Sequence, residues 1–375
     1  MIAARSAWPP SEDEDQDRGK TSVKSYLLEA HPRDACGQGA GDLLSDIGGQ
    51  IGIQVRPTDD EDLFRLTKED AEFWCDTSLG RFWRLHTVAP VQRNADPLHQ
   101  ILVRTSPFLD NVWLPPRYLE ELPRRTDSLM QTFSLSHDRR PMHQEGVEGE
   151  GFDYVTLRLW ASRAAENLKK LRDVDLWPHG VSIRSVRIRS GDLRPDGDFC
   201  VAEYFHSGKV TANGTSFDVH NRILVQVLRD YQALVEDIEA RFAIGFERHS
   251  PTTGHLTGQP IVIPMKWTIL DLERAVGRMF SSTEPFRLWG LPEKLGDDRF
   301  RVRAVDLHVG STLTFDISRD HVVVILPRGT CGNTIVRFLG GLHYHVDADA
   351  GTGLFDWSHA GDASRAAERD PRAPL

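Results

Sequence analysis

What this sequence has little of narrows it quickly. It carries four cysteines in 375 residues, at positions 36, 75, 200 and 331, and no two form a CxxC pair. A disulfide framework, or a zinc site built from paired thiolates, is therefore not expected, whereas free thiols are. Basic charge is also short. Lys and Arg number 45 against 55 Asp and Glu, a net charge of −10. Non-specific binding to nucleic acid or to an anionic membrane needs the opposite sign, although a local basic face is compatible with that total. No apolar run is long enough to span a membrane. The opening MIAARSAWPPSEDEDQDRGK has acids where a secretory signal has an apolar stretch. A cytoplasmic chain with no membrane partner is expected. GxSxG, HExxH, a Walker loop and a GxGxxG at a strand-to-helix step are missing too, which removes the commoner hydrolases, metalloproteases and nucleotide binders.

What the chain does have is a core. Apolar residues make up 39% of it and nine are tryptophan, enough for two or three folded domains. Polar stretches at 136–151 (SHDRRPMHQEGVEGEG) and 248–260 (RHSPTTGHLTGQP) interrupt that core. Residues 1–45 mix charge, glycine and proline without a period, so a flexible acidic arm is expected there, and a flexible tail over 357–375. Between them lie a strand-rich block at 46–135, a central α+β block at 152–247 and a second α+β block at 259–356.

Hydrophobic spacing sets the elements. Val219, Ile223, Leu224, Val227, Leu228, Tyr231, Leu234, Val235, Ile238 and Phe242 fall on one helical face, with Ser216 or Asp218 as the cap. YVTLRLW (154–160), VSIRSVRIR (181–189), FCVAEYF (199–205) and TLTFDI (312–317) read as strands. HVVVIL (321–326) reads as a strand buried on both faces. Strands and helices mix without strict βαβ alternation. The expected class is α+β, with mixed sheets of strand–hairpin–helix units in two or three packed blocks.

The chemistry to weigh begins with VVVILPRGTCGNTIVRF, residues 322–338, where Cys331 and Arg337 stand at C-x5-R spacing. In such a loop a thiolate attacks phosphorus while backbone amides and the arginine hold the phosphoryl oxygens. CGNTIVR resembles the loop of the low-molecular-weight protein tyrosine phosphatases over about seven residues. The resemblance implies a phosphoryl-handling enzyme with Cys331 as nucleophile and Arg337 on the phosphate. Phe338 stands where that family has a hydroxyl residue, and residues 327–330 separate the strand from the cysteine. The plainer reading puts Cys331 in a buried corner, with Asn333 or Thr334 capping a helix whose Ile335, Val336, Phe338 and Leu339 pack inward. Arg328, Asn333 and Thr334 at the helix start are the candidate anion-binding residues.

His343, His345 and Asp347 in HYHVDADAG are the candidate metal ligands. On an extended chain all three align, whereas on a helix only His343 and Asp347 share a face. Their alternative is a solvated helix end, and the sequence calls for no cofactor. Asp306 and His308, two apart, have the spacing of an oriented general base without a nucleophile in view. EYFHSGKVTANGTSF (203–217) resembles part of one repeat of the TATA-binding protein, which implies a curved sheet on DNA. Over 181–245, however, eight Lys and Arg face nine acids.

The expected function is a non-enzymatic cytosolic interaction or ligand-recognition protein, with a protein or small ligand as partner. The first alternative is the phosphoryl-handling enzyme of Cys331 and Arg337. The second is nucleic-acid binding through the central sheet, which the charge disfavours without closing off.

Overall fold

A computed structural model describes residues 22–354, apart from 32–38, 70, 92–94, 143–153, 162, 173–179, 193, 195–196 and 251–252. The expected tail at 357–375 and the first 21 residues of the expected arm lie outside the described residues. That arm's described residues beyond position 21 are ordered elements instead. Residues Val23–Ala30 form β1, which lies inside a sheet, and Ala40–Ile51 form helix α1. β1 is nearly all buried, so it lacks the alternation that marks a half-exposed strand.

The first sheet has eleven strands, all paired antiparallel. After β1 come β2 (Gln54–Pro57), β3 (Leu63–Lys68), β4 (Ala71–Leu79), β5 (Phe82–Thr87) and β6 (Leu109–Asn111). β7 (Leu129–Asp138), β8 (Tyr154–Trp160), β9 (Ser182–Gly191), β10 (Phe199–Phe205) and β11 (Lys209–Gly214) complete it. The order is β2-β3-β4-β5-β1-β11-β10-β9-β7-β8, with β6 also on β1. This sheet crosses the 136–151 break, so the first two sequence blocks share it.

The second sheet has seven strands: β12 (Ala243–Arg248), β13 (Gly254–Thr257), β14 (Ile261–Pro264), β15 (Leu288–Gly296), β16 (Arg299–Asp306), β17 (Thr312–Ser318) and β18 (His321–Pro327). Its β12–β18 pair is parallel and the others are antiparallel. The 248–260 break is the turn and return strand of the β12–β13 hairpin. With seven helices among the described residues, the fold is α+β. No described helix is long and apolar enough to cross a membrane.

The remaining helices are α2 (Asp96–Thr105), α3 (Pro116–Arg125), α4 (Ala164–Arg172), α5 (Phe217–Phe242), α6 (Leu272–Met279) and α7 (Asn333–His345). α5 buries all ten of its expected apolar positions, and the Ser216 side chain caps it by accepting from the Val219 amide. β1 divides the interior. Its Tyr26, Leu28 and Ala30 pack with α1 and α2, while Leu27 belongs to a second, larger core. That larger core also takes in α5, α7 and the inner face of the second sheet. Glu29 alternates with Leu28 and shares the face of Leu27, so a carboxylate is carried into the seam between the two sheets.

Candidate functional site

The seam around Glu29 holds a dense buried polar cluster. Glu29 is fully buried and accepts from Arg81 Nε at 2.6 Å. Its Oε2 lies 3.1 Å from His308 Nε2 and 3.2 Å from Cys331 Sγ. Arg81 also grips Glu239 through two nitrogens at 2.7 and 3.1 Å, and its Nη2 lies 3.3 Å from Cys331 Sγ. Burial pushes the Glu29 carboxyl up, but hydrogen bonds with His308 and His31 and the Arg81 charge hold it well below the usual range. Burial likewise opposes charge on His308. Its bond to Glu29 and the neighbouring Asp110 carboxylate raise it above the ordinary histidine value all the same.

A second set of charges adjoins the first. Arg337, fully buried in α7, donates through its two terminal nitrogens to Asp110 and Asp306 and through Nε to the Phe286 carbonyl at 2.9 Å. Asp110 also accepts from Arg287 at 2.9 Å and from Asn333 at 3.2 Å. Burial pushes the Asp110 carboxyl up, but Arg337 and Arg287 outweigh that and hold it low. Thr334 donates to Asp306, and Tyr231 of α5 donates to the Asn333 side chain.

These contacts locate the residues singled out in the sequence. Cys331 is 3% exposed, and burial together with the Glu29 charge pushes its thiol well above the ordinary value. A nucleophilic cysteine needs the reverse. Arg337 directs its guanidinium into Asp110, Asp306 and the Phe286 carbonyl rather than toward an open phosphate cradle. The start of α7 does meet an anion, but it is the protein's own: Gly332 N–H donates to Glu239 at 2.8 Å. Asn333 and Thr334 lie inside the helix rather than capping it, and their side chains serve the buried cluster. Arg328 points elsewhere, 3.2 Å from Glu247 on a largely exposed surface. Asp306 does orient His308, by accepting from its backbone N–H at 3.1 Å.

His343, His345 and Asp347 are not brought together. His343 Nε2 donates to the Ala350 carbonyl at 2.8 Å, and His345 Nδ1 to the Asp138 carbonyl at 2.7 Å. Asp347 accepts from the backbone amides of Lys266 at 2.6 Å and Trp267 at 3.0 Å. All three fasten the end of α7 to neighbouring loops. On the central sheet, Glu203 accepts from Arg158 at 2.6 Å and from Ser185 at 2.7 Å, so the charge there is mixed in sign.

Beside α7 lies an open cavity of about 420 Å³. Its walls come from the segment entering α3 (Trp113), α3 itself (Arg117), the β10–β11 turn (His206), α7 (Leu339, Gly340) and the loop after it (Asp349). Trp113 Nε1 and His206 Nδ1 are buried atoms with no hydrogen-bond partner. Burial pushes His206 down to about 3, so its ring is neutral.

Comparison with known proteins agrees over nearly the whole chain. A family model described as MJECL33-like protein matches residues 7–354. The chain belongs to the MJECL33-like family. A relative in Methanocaldococcus jannaschii, named uncharacterized protein MJECL33, is 24% identical over 364 residues, covering 87% of this chain and 85% of that one. No solved structure matches. In this member of the MJECL33-like family the match takes in both sheets, the buried cluster and the cavity.

Sequence reasoning missed Glu29, Arg81, Asp110 and Arg287 in the cluster, and Trp113 and His206 on the cavity. A weak signal existed for two of them. Glu29 in SYLLEA and Asp110 in PFLDNVW are lone acids in apolar runs, which fold inward only with partners.

Proposed function

We propose that the chain is a ligand-recognition protein whose binding site is the cavity between Trp113, His206 and α7. The observation that carries this reading is the cavity itself, which Trp113 and His206 line beside the apolar side chains of α7. A volume of about 420 Å³ suits a small molecule. Apolar walls from Pro115, Pro116, Val336 and Leu339, with Arg117, Glu120 and Asp349 beside them, favour a small ligand that has both an apolar body and polar groups. The indole N–H asks that ligand for an acceptor oxygen or nitrogen.

Gly340 gives a clean test. A Cβ built there meets only the Trp113 ring, at 3.9 Å, so a larger side chain extends into the cavity without striking backbone. Gly340→Leu also improves helix propensity, by about 1 kcal/mol at most. With benzamide and benzoate as probes, saturation-transfer NMR is expected to show binding to the natural chain. Gly340→Leu is expected to abolish it with the melting temperature kept or raised. Equal binding by Gly340→Leu, or none by the natural chain to any flat acceptor-bearing probe, contradicts the reading.

A further inference from the structure

We propose that Glu29, His31, His308 and Cys331 form a binding site for one transition-metal ion, with zinc the best fit to the donor set. The four come from distant parts of the chain. Glu29 and His31 lie at the end of β1, His308 in the turn after β16, and Cys331 in the loop before α7. Their donor atoms nevertheless all lie within 4.8 Å of one another.

The spacing is close to that of a tetrahedral ion's ligands. Metal–ligand bonds of about 2.0–2.3 Å at tetrahedral angles place neighbouring donor atoms about 3.3–3.6 Å apart. Here Glu29 Oε2 lies 3.1 Å from His308 Nε2 and 3.2 Å from Cys331 Sγ, Glu29 Oε1 lies 3.7 Å from His31 Nε2, and no two of the four donor atoms are more than 4.8 Å apart. One sulfur, two imidazoles and one carboxylate match the borderline-soft preference of zinc and not the all-oxygen shell of calcium or magnesium.

The surrounding residues are arranged as a supporting layer. His308 Nδ1 donates to the Pro107 carbonyl at 2.9 Å, which fixes the ring and aims Nε2 into the cluster. Arg81 holds Glu29 on one side and lies 3.3 Å from Cys331 Sγ. Charges balance in the loaded site. The dication offsets the Glu29 carboxylate and a Cys331 thiolate, Arg81 offsets Glu239, and the thiol proton and the His308 Nε2 proton both leave to solvent on binding. His31, at 16% side-chain exposure, is the edge through which an ion enters. Four protein ligands leave no open position, so the ion fastens β1 of the first sheet to the two second-sheet loops rather than activating water.

The same cluster without an ion would be a buried hydrogen-bond network, and cobalt separates the two. The full chain, stripped of metal, is titrated with Co²⁺ alone and followed by absorbance. One equivalent is expected to bind, with a thiolate-to-cobalt charge-transfer band and a rise in melting temperature. Cys331→Ser is expected to remove the band, while Cys200→Ser keeps it. His31→Ala, at the exposed edge and least disruptive to folding, is expected to weaken cobalt binding at least about tenfold. Failure of the natural chain to bind one equivalent overturns the proposal. So does survival of the band in Cys331→Ser or unchanged affinity in His31→Ala.

Discussion

Arg337 and Asp110 stand 227 positions apart in sequence, yet they form an ion pair in which neither side chain touches solvent. Asp110 sits in β6 of the first sheet, and Arg337 in the helix that follows the second sheet. The pair ties the two sheets together, and Asp306 makes it a triad. Removing one member of a buried pair is costly because it leaves uncompensated charge. Arg337→Met is expected to destabilise by roughly 3–5 kcal/mol, read as a lower urea midpoint with little change in slope. A loss under about 1 kcal/mol would mean that the two aspartates do not depend on this arginine.

Stability should fall in mild acid through two buried neutral histidines. Burial pushes His99 down to about 4, with Asn111 and Asp96 opposing that and Lys209 adding to it. Burial and nearby His86 push His220 down to about 3. Above the unfolded value of about 6.5 both states are uncharged, and the contribution is fully present. Below it the unfolded chain takes up protons that the folded chain does not, so stability is lost as pH falls toward the folded values. At pH 5 each histidine should account for about 2 kcal/mol of loss. Denaturation midpoints between pH 7.5 and 5 check this. His99→Gln, which keeps a donor for Asn111, should flatten the dependence.

Cys331 should resist alkylation. Its thiol is buried, held protonated in the metal-free chain and bonded to the ion in the loaded one, so iodoacetamide is expected to leave residue 331 unmodified in the folded chain and to modify it after unfolding. Peptide mapping by mass spectrometry reads this directly. Rapid modification of the native protein would revive the reading in which this cysteine attacks a phosphoryl group.

The sequence showed those features whose signal is local. The long helix α5 was legible to its last apolar position, Phe242, because one face is buried and the other is wet. The α+β class followed from strand and helix patterns of the same kind. β1 was hidden because burial on both faces erases alternation, and its neighbourhood in sequence is acidic. Asn333 and Thr334 were correctly placed at a helix start, but their partners, Tyr231, Asp110 and Asp306, lie far away in sequence. Positions 29, 31, 308 and 331 have no spacing that a motif could capture, since the seam between two sheets assembles them. The C-x5-R spacing was real as a pattern, and folding spends its two residues on different carboxylates.

The central claim, that the cavity beside α7 receives a ligand through Trp113, is tested most directly at the indole itself. In a ¹⁵N–¹H spectrum of the full chain, the Trp113 N–H resonance is identified by its loss in Trp113→Phe. On addition of benzamide that resonance is expected to move saturably, as a partnerless donor gains an acceptor, while the indoles of the other tryptophans among the nine hold still. A Trp113 resonance that stays in place at saturating probe would contradict the account.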